Sequence, residues 1–143
     1  MILTDVNLLL YAHREEFDQH RRCKEWLERM IASREPFGMA NIVLSGFIRI
    51  ATHRKILSPP STMAQAMEFA STVRSRPNCV PVNPGSRHWG LFIQFCALPD
   101  VKAGLVTDAY LAALAVEHGC EFASLDGDFA RFSPPLRLHR PLV

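Results

Sequence analysis

The sequence predicts an α/β domain built on a mainly parallel sheet, and two observations carry that reading. Short apolar runs of strand length alternate with longer stretches whose apolar residues recur at helical spacing. The chain of 143 residues falls in the single-domain size range, with 48% apolar and 21% charged residues, as in an ordinary soluble globular protein. No internal repeat, charge block or linker divides it, so one domain over residues 1–143 is expected.

Taken in order, Met1–Thr4 is the first strand, ending at Asp5, and Asn7–Ala12 is helical. From Asp18, a candidate N-cap, Cys23, Trp26, Leu27, Met30 and Ile31 follow the spacing of an amphipathic helix. Pro36–Ala40 is the second strand. Asn41 can cap the next helix, whose Ile42, Leu44, Phe47, Ile48 and Ala51 are apolar around much of the circumference. Pro59 and Pro60 break the chain, and Ser61 restarts a helix that runs to about Arg76. Cys79–Val82 is a third strand, and Ser86 opens a helix through His88, Leu91, Phe92, Phe95 and Cys96. After a loop through Pro99, Asp100, Lys102 and Gly104, a helix starts at Asp108 and ends at Gly119, a candidate C′ glycine. Glu121–Leu125 reads as a strand ending in Asp126, and Leu136–His139 as a last short one.

Other classes of protein are set aside by the same inspection. Apolar runs are interrupted long before membrane-spanning length. The N-terminus lacks a positive flank and carries Asp5 inside its apolar stretch, so no secretory leader is expected. Cys23, Cys79, Cys96 and Cys120 lie far apart without a metal-binding spacing, which fits free thiols in a cytoplasmic protein. The six histidines show no ligand spacing; His88 and His118 read as structural, and Trp26 and Trp89 as core or interface residues. Met63, Met67 and Phe69 fit either core or an exposed groove.

Chemistry concentrates in the acidic residues. In parallel α/β sheets ligands bind beyond the carboxyl ends of the strands, where Asp5 and Asp126 fall, with Asp128 two residues on. Asp108 heads an apolar helix. Each has an ordinary alternative: Asp108 as a helix-start residue favourable to the dipole, and Asp126-Gly127-Asp128 as a turn. Asp5 has no turn signal after it. If the strands are neighbours, the carboxylates converge, raise one another's pKa, and suit a hard divalent cation such as Mg²⁺ or Mn²⁺. That arrangement can promote attack on a phosphodiester. With the four aspartates set aside, ten acidic residues face sixteen lysines and arginines, a balance of +6 that would attract a polyanion.

Four stretches, Thr4–Asn7 (TDVN), Ser45–Thr52 (SGFIRIAT), Thr107–Ala115 (TDAYLAALA) and Ser124–Phe129 (SLDGDF), together resemble the PIN domain, and more closely the VapC toxins of bacterial type II toxin–antitoxin pairs. The resemblance spans nearly the whole chain. It implies a three-layer α/β/α sandwich, Mg²⁺-dependent endoribonuclease activity on RNA such as transfer RNA, inhibition by a VapB-type antitoxin, and a homodimer. By motif position it makes Asp5, Asp108 and Asp126 the catalytic metal ligands, with Asp128 a weaker one. Asn7 and Ser124 would orient the carboxylates.

One departure stands out. Many family members carry a glutamate where this chain has Gly46, and no acid occurs between Pro36 and Glu68. That absence motivates a second reading, a PIN domain that binds RNA or an antitoxin without cutting. A third, an aspartate-nucleophile phosphotransferase, would want an acid where Asn7 stands. Arg49, His53, Arg54 and Lys55 cluster at the end of one helix, and Lys102 precedes Asp108; Arg49, Arg54, Lys55 and Lys102 are candidate RNA contacts, although cations at a helix C-terminus also suit its dipole.

Overall fold

Uninterrupted apolar sequence places the first strand mid-sheet. The computed structural model describes residues 1–142; Val143, the last residue of the expected 1–143 span, lies outside them. β1 (Ile2–Thr4) pairs in parallel with β2 (Phe37–Met39) on one side and β4 (Glu121–Ala123) on the other. β3 (Cys79–Pro81) and β5 (Arg137–His139) complete an all-parallel sheet of order β3-β2-β1-β4-β5. Burial follows that order: every residue of β2 is buried, while β3 and β5 are largely exposed. Proline at Pro81 is tolerated because β3 is an edge. Gly38 is required in β2, since a Cβ there would stand 2.9 Å from the Val82 side chain.

Between the strands run α1 (Val6–His13), α2 (His20–Ala32), α3 (Asn41–Ala51), α4 (Met63–Arg74), α5 (His88–Cys96) and α6 (Gly104–Glu117), with a 3-10 helix over Gly127–Phe132. The chain steps from β1 to β2 to β3, then returns past β1 to β4 and β5. With right-handed crossovers this reversal sends α1–α4 to one face and α5, α6 and the 3-10 helix to the other. Packing agrees: α1 rests on α2 and α3, α3 on α4, α5 on α6, and α6 on the 3-10 helix. The result is the three-layer α/β/α sandwich, and its switch point lies between β1 and β4.

Local chemistry moves several predicted boundaries. α2 begins behind Gln19 rather than Asp18, because the preceding turn is pinned by Phe17 against Tyr11 and by His20 Nδ1 on the Tyr11 carbonyl at 2.8 Å. Asn41 lies within the first turn of α3, where it accepts from Arg74 Nε instead of capping. α4 is capped by Thr62, in a reciprocal capping box with Gln65, while Ser61 is engaged elsewhere. α5 begins at His88, since the Glu117 carboxylate takes the N–H groups of Gly85 and Arg87 just before it. Gly119, at φ +64°, ends α6 as predicted.

The four cysteines are free. His88 is buried and donates to the Tyr110 carbonyl, and His118 reaches the Asn83 carbonyl, so both are structural. Trp26 is buried as expected. Trp89 is not a core residue: it is 69% exposed on α5, because that helix turns Phe95 and His88 inward instead. Met63 and Met67 are likewise exposed on α4. Among the described residues no helix is long and apolar enough to cross a membrane.

Candidate metal centre

Three elements deliver carboxylates to the switch point. Asp5 follows β1 directly; its N–H donates to the Ala123 carbonyl of β4, which locks the ends of the two central strands together. Its side chain is buried, with Oδ1 accepting from the Val6 N–H at 2.7 Å and Oδ2 from the Ser124 hydroxyl at 2.6 Å. Ser124 in turn accepts from the Asp126 N–H at 3.0 Å. One hydroxyl thus ties the ends of β1 and β4 to the loop that follows. Ser124, expected to orient a carboxylate, contacts Asp5 directly. Asn7, by contrast, makes no side-chain hydrogen bond to any of the carboxylates among the described residues.

Asp126 caps the 3-10 helix through the Asp128 N–H at 2.8 Å. That loop is anchored by Phe129 and Phe132, both buried, with the Phe129 ring centroid 4.5 Å from Phe122 and that of Phe132 5.1 Å from Phe95. The 3-10 helix was not predicted; its signal in the sequence is the pair of phenylalanines three residues apart, the repeat of that helix.

Asp108 corrects an expectation. α6 begins at Gly104, not at Asp108, so Asp108 stands beyond the first turn, where its carboxylate no longer serves as a cap. α6 is apolar nearly all round, with Ala109, Ala112, Ala113 and Ala115 buried, which lets it press closely on its neighbours. A charged residue at its site end has no structural benefit.

Carboxylate oxygens of Asp108, Asp126 and Asp128 all lie within 4.8 Å of one another. Asp5 is outside that mutual set but bears on it electrostatically. The Asp108 pKa is pushed up to about 6, by burial first and then by the charges of Asp5, Asp126 and Asp128, with Arg131 opposing. Asp5 is also raised, chiefly by burial and slightly by Asp126, against the lowering effect of Ser124 and Val6. Arg131 was missed in the sequence. Its Nη2 lies 3.5 Å from Asp128 Oδ1 and its Nε donates to the Asp128 carbonyl. One partly exposed guanidinium does not balance four carboxylates. An all-oxygen donor set short of positive charge fits a hard divalent cation.

The remaining predicted residues are not drawn into the cluster. Arg49, Arg54, Lys55 and Lys102 are exposed and form no ion pair among the described residues. Gly46 lies against α1, where an added Cβ would sit 3.3 Å from Val6 Cγ2, one residue from Asp5. The position is next to the site, and it supplies no ligand.

Known proteins share this sequence family and fold. The family model of the PIN domain matches residues 2–133. Two curated relatives from Mycobacterium tuberculosis align over nearly the full length of this chain. Ribonuclease VapC31 is 42% identical over 142 residues, 99% of this chain and 100% of the relative. Ribonuclease VapC25 is 41% identical over the same share of this chain. Among solved structures, VapBC2 from Rickettsia felis bound to a promoter DNA fragment superposes with a TM-score of 0.68 at 17% identity, covering 97% of this chain and 98% of that one. VapC20 from Mycobacterium tuberculosis, a sarcin-ricin-loop-cleaving toxin, gives 0.67 at 14% identity over 93% and 95%. At such identities the structural likeness speaks for the fold.

Proposed function

The chain belongs to the PIN domain family, among the VapC ribonucleases, and we propose that it is a toxin-type endoribonuclease whose Asp5, Asp108 and Asp126 hold Mg²⁺. The observation that carries the reading is Asp108: a carboxylate beyond the cap of a buried apolar helix, raised to about 6 by its acidic neighbours and useful to nothing but a cation. Mn²⁺ would substitute, and Asp128 adds a weaker ligand.

When bound, a divalent cation supplies charge for the phosphodiester transition state and makes a water nucleophilic at neutral pH. The chain's own part is positional. Ser124 fixes the Asp5 carboxylate, and the buried phenylalanines fix the Asp126–Asp128 loop, so the ligands are preorganised. Arg131 lies beside Asp128, and in this reading its guanidinium meets a phosphate oxygen. Arg49, Arg54, Lys55 and Lys102, without an ion pair among the described residues, draw the RNA backbone in. Structured RNA such as transfer RNA is the proposed substrate.

A VapB-type antitoxin is the proposed inhibitor and a homodimer the proposed assembly. Trp89 and Ile93 on α5, and Met63 and Met67 on α4, offer exposed apolar surface of the kind partners cover.

The test is incubation of the antitoxin-free chain with total cellular RNA in Mg²⁺ or Mn²⁺. Discrete fragments, lost with chelator and in Asp5→Asn, are expected. Intact RNA from folded protein would favour the binding-only reading that Gly46 motivates.

A further inference from the structure

Next to the carboxylates, on the β5 side, lies a cleft of about 310 Å³. Ser124 and Asp126 form the wall it shares with the metal centre, and Leu125, Leu138, Ala130 and Arg140 form much of the rest. Leu125 and Leu138 are 37% and 40% exposed, an unusual choice beside a cluster of charged ligands. Arg140 is exposed and makes no hydrogen bond or ion pair among the described residues.

We infer that this cleft is a nucleobase subsite, holding the base of a nucleotide adjoining the scissile phosphate and giving the enzyme its sequence preference; the inference rests on the nuclease reading above. Carboxylates around a cation recognise only a phosphodiester, which every RNA position presents alike. Selectivity needs contact with a base, and RNA-binding proteins read splayed-out bases between apolar or planar side chains. Two aliphatic side chains and one planar guanidinium supply such surfaces, because a base has an apolar face that stacks on either. The volume accommodates one nucleotide base with its ribose and not a duplex. Continuity through Asp126 and Ser124 sets the base one nucleotide from the bond to be cut. Arg140 adds a positive charge at the rim, as the phosphate of that nucleotide requires.

The experiment measures binding of four fluorescein-labelled hexaribonucleotide homopolymers to the full chain in metal-free buffer, alongside cleavage of total RNA in Mg²⁺. The variants are Leu138→Glu, Arg140→Ala and Arg140→Lys, each at an exposed position and each checked for an unchanged thermal melt. The wild type is expected to rank the four bases. Leu138→Glu and Arg140→Ala weaken the preferred one about tenfold, the size of one lost stacking contact. Arg140→Lys keeps the charge, so it retains overall affinity but flattens the ranking. Cleavage by these variants shifts to different sites. A ranking present without any wild-type cleavage would retain the subsite and remove the nuclease reading. Normal cleavage at unchanged sites with an unchanged ranking in all three variants would overturn the subsite, leaving the cleft to an apolar side chain of a protein partner.

Discussion

Two polar clusters sit at opposite ends of α1, and they differ in whether the protein satisfies itself. At the C-terminal end, His13 Nε2 lies 2.9 Å from the buried Ser61 hydroxyl, and Arg14 donates to the same oxygen at 3.1 Å and, by two bonds, to the Glu16 carboxylate. The Arg14 charge there is paired with Glu16, and the imidazole favours its neutral form, its pKa lowered by burial and then by Arg14. A hollow of about 710 Å³ opens beside these residues, yet the Arg14 guanidinium in its wall is already engaged by Ser61, Glu16 and the Pro59 carbonyl. At the N-terminal end, Asp5 joins Asp108, Asp126 and Asp128, and among the described residues Arg131 is the one cation that opposes the raised Asp108. The smaller cleft, not the larger hollow, adjoins the chemistry. Functional sites are where local rules of satisfaction fail, and size of cavity is a poorer guide than unpaired charge.

The comparison breaks most easily at Asp108. Asp108→Asn should reduce RNA cleavage by more than about 100-fold, beyond the usual loss for an outer-shell partner, measured on the fragments the wild type produces. The same change should stabilise the metal-free chain. Asp108 is protonated more readily in the fold than its ordinary 3.8 allows, so its contribution to stability is greatest at low pH and is lost as pH climbs from about 4 through about 6. With the group half exposed, solvent screening limits that loss to about 1 kcal/mol at neutral pH. Denaturant melts at pH 4 and pH 7 read the difference. Metal binding runs the other way and strengthens as pH rises through about 6.

Ser124→Ala comes next. Asp5 would keep its charge and lose its tether, so metal affinity should fall about tenfold while the fold survives. Ser61→Ala tests the opposite cluster: stability should drop by about 1–2 kcal/mol, because Arg14 and His13 lose a common partner, and cleavage should be unchanged. A large activity loss in Ser61→Ala would erase the distinction between the two clusters.

The smallest effect concerns the approach to Asp108. Ala103 precedes α6 at φ +51° and ψ −122°, a backbone region that costs an alanine about 1 kcal/mol or more. Ala103→Gly should recover about that much in a thermal melt and leave cleavage intact.

How much of this was legible in the residues depends on what each feature needed. The strands and helices were visible because apolar spacing is local, and Asp5, Asp108 and Asp126 because charge at strand ends and on an apolar helix violates that spacing. Helix starts were misplaced at Asp18 and Asn41 because partners from distant segments, Tyr11 and Arg74, decide them. The extra turn ahead of Asp108 rests on a strained alanine that no propensity favours. Arg131 and the Ser61–His13 pair were invisible for a related reason: their meaning lies in what stands opposite, 48 residues away in the second case.

The most direct test is a calorimetric titration of Mn²⁺ into metal-free wild type, Asp108→Asn, Asp5→Asn and Ser61→Ala at pH 7. Saturable binding in the wild type and Ser61→Ala, lost in both aspartate variants, is the predicted result. Equal binding in all four, or none in the wild type, would contradict the assignment of the carboxylates as a metal centre.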